Sequence, residues 1–168
     1  MLNVAAGILR RGDEVLLIRQ AAPGEEPHWS IPGGVIDDGE LVPEGLAREV
    51  LEETGLTVVS AARLAFVVQI DNRRPEQVHA SRGPGRGFLA TVWTFEANWR
   101  GELRPADPDG FVVEASFVPL GDAVERLERS SWLGWTARYL RGELEPGSAV
   151  FERWQIEGGV ETVALVRS

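Results

Sequence analysis

Gly34-Val35-Ile36-Asp37-Asp38-Gly39-Glu40-Leu41-Val42-Pro43-Glu44-Gly45-Leu46-Ala47-Arg48-Glu49-Val50-Leu51-Glu52-Glu53-Thr54-Gly55-Leu56 is the stretch on which the reading of this chain turns. From Pro43 to Thr54 the spacing is helical: Leu46 and Val50 stand four apart on one face, and Gly55 is placed as the stop. Pro43 suits the first helical position, although Val42 before it is a poor N-cap. On this helix Glu49, Glu52 and Glu53 fall at i, i+3 and i+4, so three carboxylates share one patch. Like charges this close raise one another's pKa, which is costly unless a cation fills the space between them. Oxygen-only ligands on a rigid element suit Mg²⁺ or Mn²⁺, which bind a few carboxylates, keep several waters and accept phosphate oxygens. The helix alone equally allows a solvated acidic face, with Arg48 pairing Glu52 at i+4.

Outward from the helix, residues 2–9 and 14–19 are short apolar runs separated by Arg10-Arg11-Gly12-Asp13, which predicts a β-hairpin. Ala22-Pro23-Gly24-Glu25-Glu26-Pro27 and then His28-Trp29-Ser30-Ile31-Pro32-Gly33-Gly34 carry breakers that predict a loop. Residues 57–70, 88–97 and 111–118 are rich in β-branched, aromatic and alternating residues and predict strands. Helices are predicted over Asp122–Arg129 and Trp132–Gly142, and a last hairpin turning at Glu157-Gly158-Gly159. The mixture predicts an α/β domain with helices packed on a sheet.

Composition narrows the chemistry. At 168 residues, one domain with a proper core is expected over 1–168. No run of about 18 apolar residues could span a bilayer, and Met1-Leu2-Asn3-Val4 lacks a basic leader, so no membrane role and a cytoplasmic location are expected. The absence of cysteine excludes disulfides, thiolate zinc sites and cysteine nucleophiles. All 17 positive charges are arginine, which excludes a lysine Schiff base. A net charge of −9 argues against a nucleic-acid polymer as partner. An anionic ligand would need a local cation, which some of the 26 carboxylates could hold.

The quoted stretch has Gly34, five residues, Glu40, seven residues, then Arg48-Glu49-Val50-Leu51-Glu52-Glu53-Thr54-Gly55-Leu56. This resembles the Nudix box at every defining position, a match expected by chance on the order of once in ten million. Trp29-Ser30-Ile31-Pro32-Gly33-Gly34 is similar to the family's lead-in, and Asp107 to Leu120 to its late strand and following helix. The resemblance covers roughly residues 2–130 and implies a Nudix-like mixed sheet sandwiched between helices (α/β/α); residues after about 131 match no family pattern, and 131–168 is expected to be a C-terminal helix-plus-hairpin extension packed on it. It implies metal held by Glu49, Glu52, Glu53 and the carbonyl of Gly33, with Arg48 orienting the glutamates and Glu40 supporting them. The general base varies within the family; Glu49, Glu52 and Glu114 are the candidates here. Val50 and Leu56 are packing residues.

The activity so implied is metal-dependent cleavage of a diphosphate bond in a nucleoside diphosphate linked to another moiety, of ADP-ribose, NDP-sugar or nucleoside triphosphate type. Mg²⁺ or Mn²⁺ is the cofactor, and no organic cofactor is needed. Fold relatives that isomerise isopentenyl diphosphate with a catalytic cysteine are excluded by composition. The remaining alternative is an inactive Nudix-fold module that binds a nucleotide or a partner. Substrate markers expected 16 to 18 positions past the box are missing, since Asn72, Arg73 and Arg74 fill those places, with Pro75 beside them. Asp71 to Gly87 holds Arg73, Arg74, Arg82, Arg86 and His79, and is expected to be a mobile loop whose arginines clamp substrate phosphates or sugar, the alternative being a solvated hairpin loop whose arginines only offset nearby acids. His28 is expected to be a loop residue, and none of Trp93, Trp99, Trp132, Trp135 and Trp154 is assigned a role. Oligomeric state is not legible, with a homodimer left open.

Overall fold

The computed structural model describes residues 1–21, 26–73, 87–130, 132–154 and 159–166. Its strands are β1 (Leu2–Ile8), β2 (Arg10–Arg11), β3 (Glu14–Gln20), β4 (His28–Ser30), β5 (Gly33–Val35), β6 (Thr57–Asn72), β7 (Phe88–Arg100), β8 (Val112–Pro119), β9 (Ser148–Trp154) and β10 (Val160–Val166). Its helices are α1 (Val42–Thr54), α2 (Leu120–Glu128) and α3 (Gly134–Leu140). A mixed six-stranded sheet runs β10-β9-β6-β7-β1-β5, and a smaller antiparallel sheet gathers β2, β4 and β8 around β3.

Helices lie on both sides, as a sandwich requires. On one side Leu46 and Val50 of α1 pack with Ala5, Leu9, Leu16 and Leu56. On the other, Ala123 and Leu127 of α2 with Ala137 and Leu140 of α3 pack with Ala6, Ile8, Val15 and Leu17. Successive residues of β1 thus serve opposite cores, because side chains of a strand alternate between its faces.

Two expectations are corrected. Residues 2–9 and 14–19 do not form one hairpin: β1 pairs with β5 and β7, whereas β3 belongs to the other sheet. Only Leu9 to Arg11 folds back on Glu14 to Leu16, so the chain changes sheets at Leu9 and local turn chemistry does not fix the partner. Residues 28–34 are not all loop either, since β4 pairs with β3 and β5 with β1. Pro32 interrupts the two without preventing them, and its carbonyl accepts a bond from Gly7 N–H.

Boundaries shift elsewhere by a few residues. Helix α1 begins at Val42 with Leu41 as N-cap, where Glu44 Oε2 accepts the Leu41 N–H at 2.8 Å and makes up for the missing polar cap. α2 starts at Leu120, earlier than Asp122, and α3 is shorter than 132–142. The last hairpin is present as β9 and β10, its expected turn at 157–158 lying outside the described residues. β9 runs parallel to β6 and pairs with it from Phe66 to Asn72, and Val150 and Trp154 are fully buried. No helix among the described residues is long and apolar enough to cross a membrane.

Candidate active site

Helix α1 is anchored at its C-terminal end by backbone geometry. Gly55 sits at φ 77°, a conformation that side chains resist, and its N–H bonds Leu51 O at 2.8 Å. Arg104 N–H then reaches Thr54 O at 2.8 Å and Ala106 N–H reaches Glu52 O at 3.2 Å. These bonds draw the segment leading to Asp107 across the last turn of the helix.

Glu53 points inward and is only 7% exposed, with its Oε2 accepting the Gly33 N–H at 2.8 Å. Burial pushes its carboxyl up to about 8 against the Gly33 hydrogen bond, and the charges of Glu49, Asp107 and Glu52 add to the rise. Glu49 is raised as well, mainly by burial, while Arg48 pulls it the other way. It packs so closely under the loop that a Cβ on Gly34 would lie 2.5 Å from its carboxylate.

Arg48 is the hub. Its Nε and Nη2 donate to the two oxygens of Glu40 at 2.8 and 2.9 Å, a bidentate pair. Its Nη1 donates to Glu49 Oε1 at 2.8 Å and Glu52 Oε2 at 3.3 Å, and Nη2 also reaches Val35 O at 3.0 Å. Held by Arg48 first and by the Asp37 N–H second, Glu40 falls to about 2. The guanidinium thus ties the loop carbonyl, the loop glutamate and two helix glutamates into one unit. Arg48→Lys, which keeps the charge but loses the fork, is expected to lower turnover at least about tenfold and melting by a few degrees. Steady-state kinetics with a thermal melt check this, and wild-type values for both would mean that charge alone suffices.

Gly33, Glu40, Arg48, Glu49, Glu52 and Glu53 are therefore brought together. Glu114 lies exposed on β8 opposite Arg19, its hydrogen bond coming from Ser116 Oγ at 3.4 Å, and it makes no hydrogen bond or ion pair with the cluster among the described residues. Arg73 stands beyond the end of β6, paired with Asp71 at 2.9 Å, and Arg74, His79, Arg82 and Arg86 lie outside the described residues. His28 is exposed. Asp107, to which the sequence reading gave no role, joins the cluster electrostatically and caps the N–H groups of Phe111 and Val112 at 2.6 and 2.8 Å. Its place in an Asp-Pro-Asp-Gly turn was the only signal available.

The donor set fits a hard divalent cation. It is made of carboxylate oxygens on a rigid helix, two of them with raised pKa values in a mutually repelling group. Among the described residues no three acidic side chains converge as a formed cage, because Glu53 faces Gly33 while Glu49 and Glu52 face Arg48.

The NUDIX domain family matches residues 1–147. The ADP-ribose pyrophosphatase of Methanocaldococcus jannaschii is 38% identical over 116 residues, 69% of this chain and 60% of that protein. The human 8-oxo-dGDP phosphatase NUDT18 is 45% identical over 53 residues, 32% of this chain and 16% of that protein. Matches to several other curated relatives span 19 to 46% of those proteins' length. Among solved structures, the MutT protein from Bacillus halodurans superposes with a TM-score of 0.68 at 21% identity, covering 98% of this chain and 96% of that one. That likeness supports the fold.

Proposed function

This chain belongs to the NUDIX domain family, and on that premise we propose that it hydrolyses a diphosphate linkage in a nucleoside diphosphate derivative with the help of Mg²⁺ or Mn²⁺. The observation that carries the reading is the mutually repelling group of Glu49, Glu52 and buried Glu53, with Arg48 holding the first two. These glutamates, with the Gly33 carbonyl, would hold the metal. When bound, the cation supplies charge neutralisation for the phosphates and lowers the pKa of water.

In the reaction a water oxygen forms a bond to one phosphorus, the bond from that phosphorus to the bridging oxygen breaks, and a carboxylate takes the water proton. Glu49 and Glu52 stand in the cluster, whereas Glu114 contacts Ser116, which favours a box glutamate as the base. Arg48 keeps both carboxylates oriented. Substrates of ADP-ribose and oxidised guanine nucleotide type are suggested by the names of the relatives. The arginines of 73–86 would contact the substrate's distal phosphates or sugar. Of these, Arg73 is among the described residues, paired with Asp71 at 2.9 Å, and its N–H bonds Trp154 O at 3.0 Å.

The test is turnover of ADP-ribose, NDP-sugars, dinucleoside polyphosphates and nucleoside triphosphates with Mg²⁺ or Mn²⁺, with and without excess EDTA. Hydrolysis that depends on the cation is expected. Unchanged hydrolysis in EDTA would overturn the metal's role, and nucleotide binding without turnover would favour an inactive binding module.

A further inference from the structure

On the face of the large sheet away from α1, a cavity of about 450 Å³ is floored by Ala6, Phe66 and Thr94 and walled by Trp132, Trp135 and Trp154. That volume falls in the range of small-molecule sites. Two residues of its lining are backbone neighbours of Gly33. Ala6 pairs with Gly33 in the β1–β5 ladder, and Ile31, another lining residue, is two positions before Gly33, whose N–H holds Glu53.

Glu152 also lines this cavity. The alternation of β9 turns Ser148, Val150, Glu152 and Trp154 inward, so a carboxylate occupies a core position and is only 9% exposed. Its Oε1 accepts the Trp135 indole N–H at 2.5 Å and its Oε2 accepts that of Trp154 at 3.0 Å. It forms no ion pair among the described residues. Burying a carboxylate without a cation is costly where an apolar side chain would pack at no such cost, so the position calls for a use. Each oxygen keeps lone-pair capacity after accepting one indole.

We propose that Glu152 is a specificity-determining residue that reads the donor edge of the substrate's base and selects a guanine-type ring. This rests on the nucleotide hydrolase reading above. Guanine presents two adjacent donors, a ring N–H and an amino group, which match the two oxygens of one carboxylate. Adenine and cytosine place a ring-nitrogen acceptor beside their amino group, and that lone pair would face the negative charge. Indole walls suit a flat ring. Glu152 and Trp154 lie beyond residue 147, where the family match ends, so this determinant belongs to the C-terminal part of the chain.

The experiment is a titration of the whole protein in EDTA with guanosine, inosine and adenosine diphosphates, followed by tryptophan fluorescence and calorimetry. Guanosine diphosphate is expected to bind about tenfold or more tightly than inosine diphosphate, which lacks the amino group, and than adenosine diphosphate. Glu152→Gln is expected to bring the three within about threefold of one another. Equal binding by the wild type, or an unchanged preference in a folded Glu152→Gln protein, overturns the proposal. The inosine comparison needs no substitution, so equal binding of guanosine and inosine diphosphates overturns the proposal even if that variant does not fold. Metal-dependent turnover without base preference would sink this inference alone, and base-selective binding without turnover would sink the hydrolase reading alone.

Discussion

Glu53→Gln is expected to remove turnover by about a hundredfold or more while making the metal-free protein more stable. The two effects share one cause. Glu53 is buried beside Glu49, Glu52 and Asp107, so its ionised form is disfavoured until a cation arrives, and its carboxyl rises to about 8. The solvated acidic face that the helix alone allowed does not extend to Glu53, which is buried. A group whose folded pKa lies above the unfolded value of 4.5 contributes stability that is fully present below about pH 4.5 and is lost as pH rises through about 8. In EDTA the wild-type melting temperature should therefore carry a downward contribution from pH 5 to 8, and Glu53→Gln should flatten it. Glutamine can still accept the Gly33 N–H, so the local hydrogen bond survives. With Mg²⁺ or Mn²⁺ present the wild type should be stabilised more at pH 8 than at pH 5, because the ligand must lose its proton to bind. Thermal melts across that range, with and without EDTA, read all of this. Equal pH slopes for the two proteins would show that Glu53 is not the titrating group, and normal turnover of the variant would remove it from the metal site.

Gly33→Ala is expected to lower stability by about 2–4 kcal/mol, or roughly 10 °C in melting temperature, and to take activity with it. Gly33 has φ 150°, and a Cβ there would lie 2.2 Å from Ala5 O and 2.6 Å from Ala6 Cα. Both are backbone atoms of β1, so relief requires the β1–β5 ladder to open. The same movement would withdraw the N–H that holds Glu53 and the carbonyl assigned to the metal. Gly121→Ala is the control, because nothing lies within 4 Å of its added carbon and it sits in α2. Its melting temperature should stay the same or rise slightly. Thermal melts and hydrogen exchange at Gly33 to Val35 distinguish the two, and a Gly33→Ala protein with wild-type melting would show that β5 adapts freely.

The α1 cluster was legible because its determinants are local. Helical periodicity alone puts Glu49, Glu52 and Glu53 within one turn of each other, and Arg48 within reach of Glu52, whatever the rest of the chain does. The strands were legible as segments for the same reason, since β-branched and alternating residues favour extended backbone wherever they pair. What those strands pair with was not. β1 and β3 are adjacent in sequence and joined by a turn, yet they lie in different sheets, because the alternation of β1 between two apolar cores rewards burial on both faces over a local hairpin.

By itself, then, the sequence determined the helix, its acidic cluster and the chemistry such a cluster permits, all of which depend on residues a few positions apart. Tertiary structure alone decided that Glu53 is buried and Glu52 is not, since that depends on how α1 lies against β5. It also decided that Asp107, more than fifty residues along the chain, adds its charge to the group, while Glu114 on the neighbouring strand does not join it. The inward turn of Glu152 between two indoles could not be read either. A last hairpin was legible, but which face of β9 becomes the core is fixed only when that strand pairs with β6 and α3 closes over it.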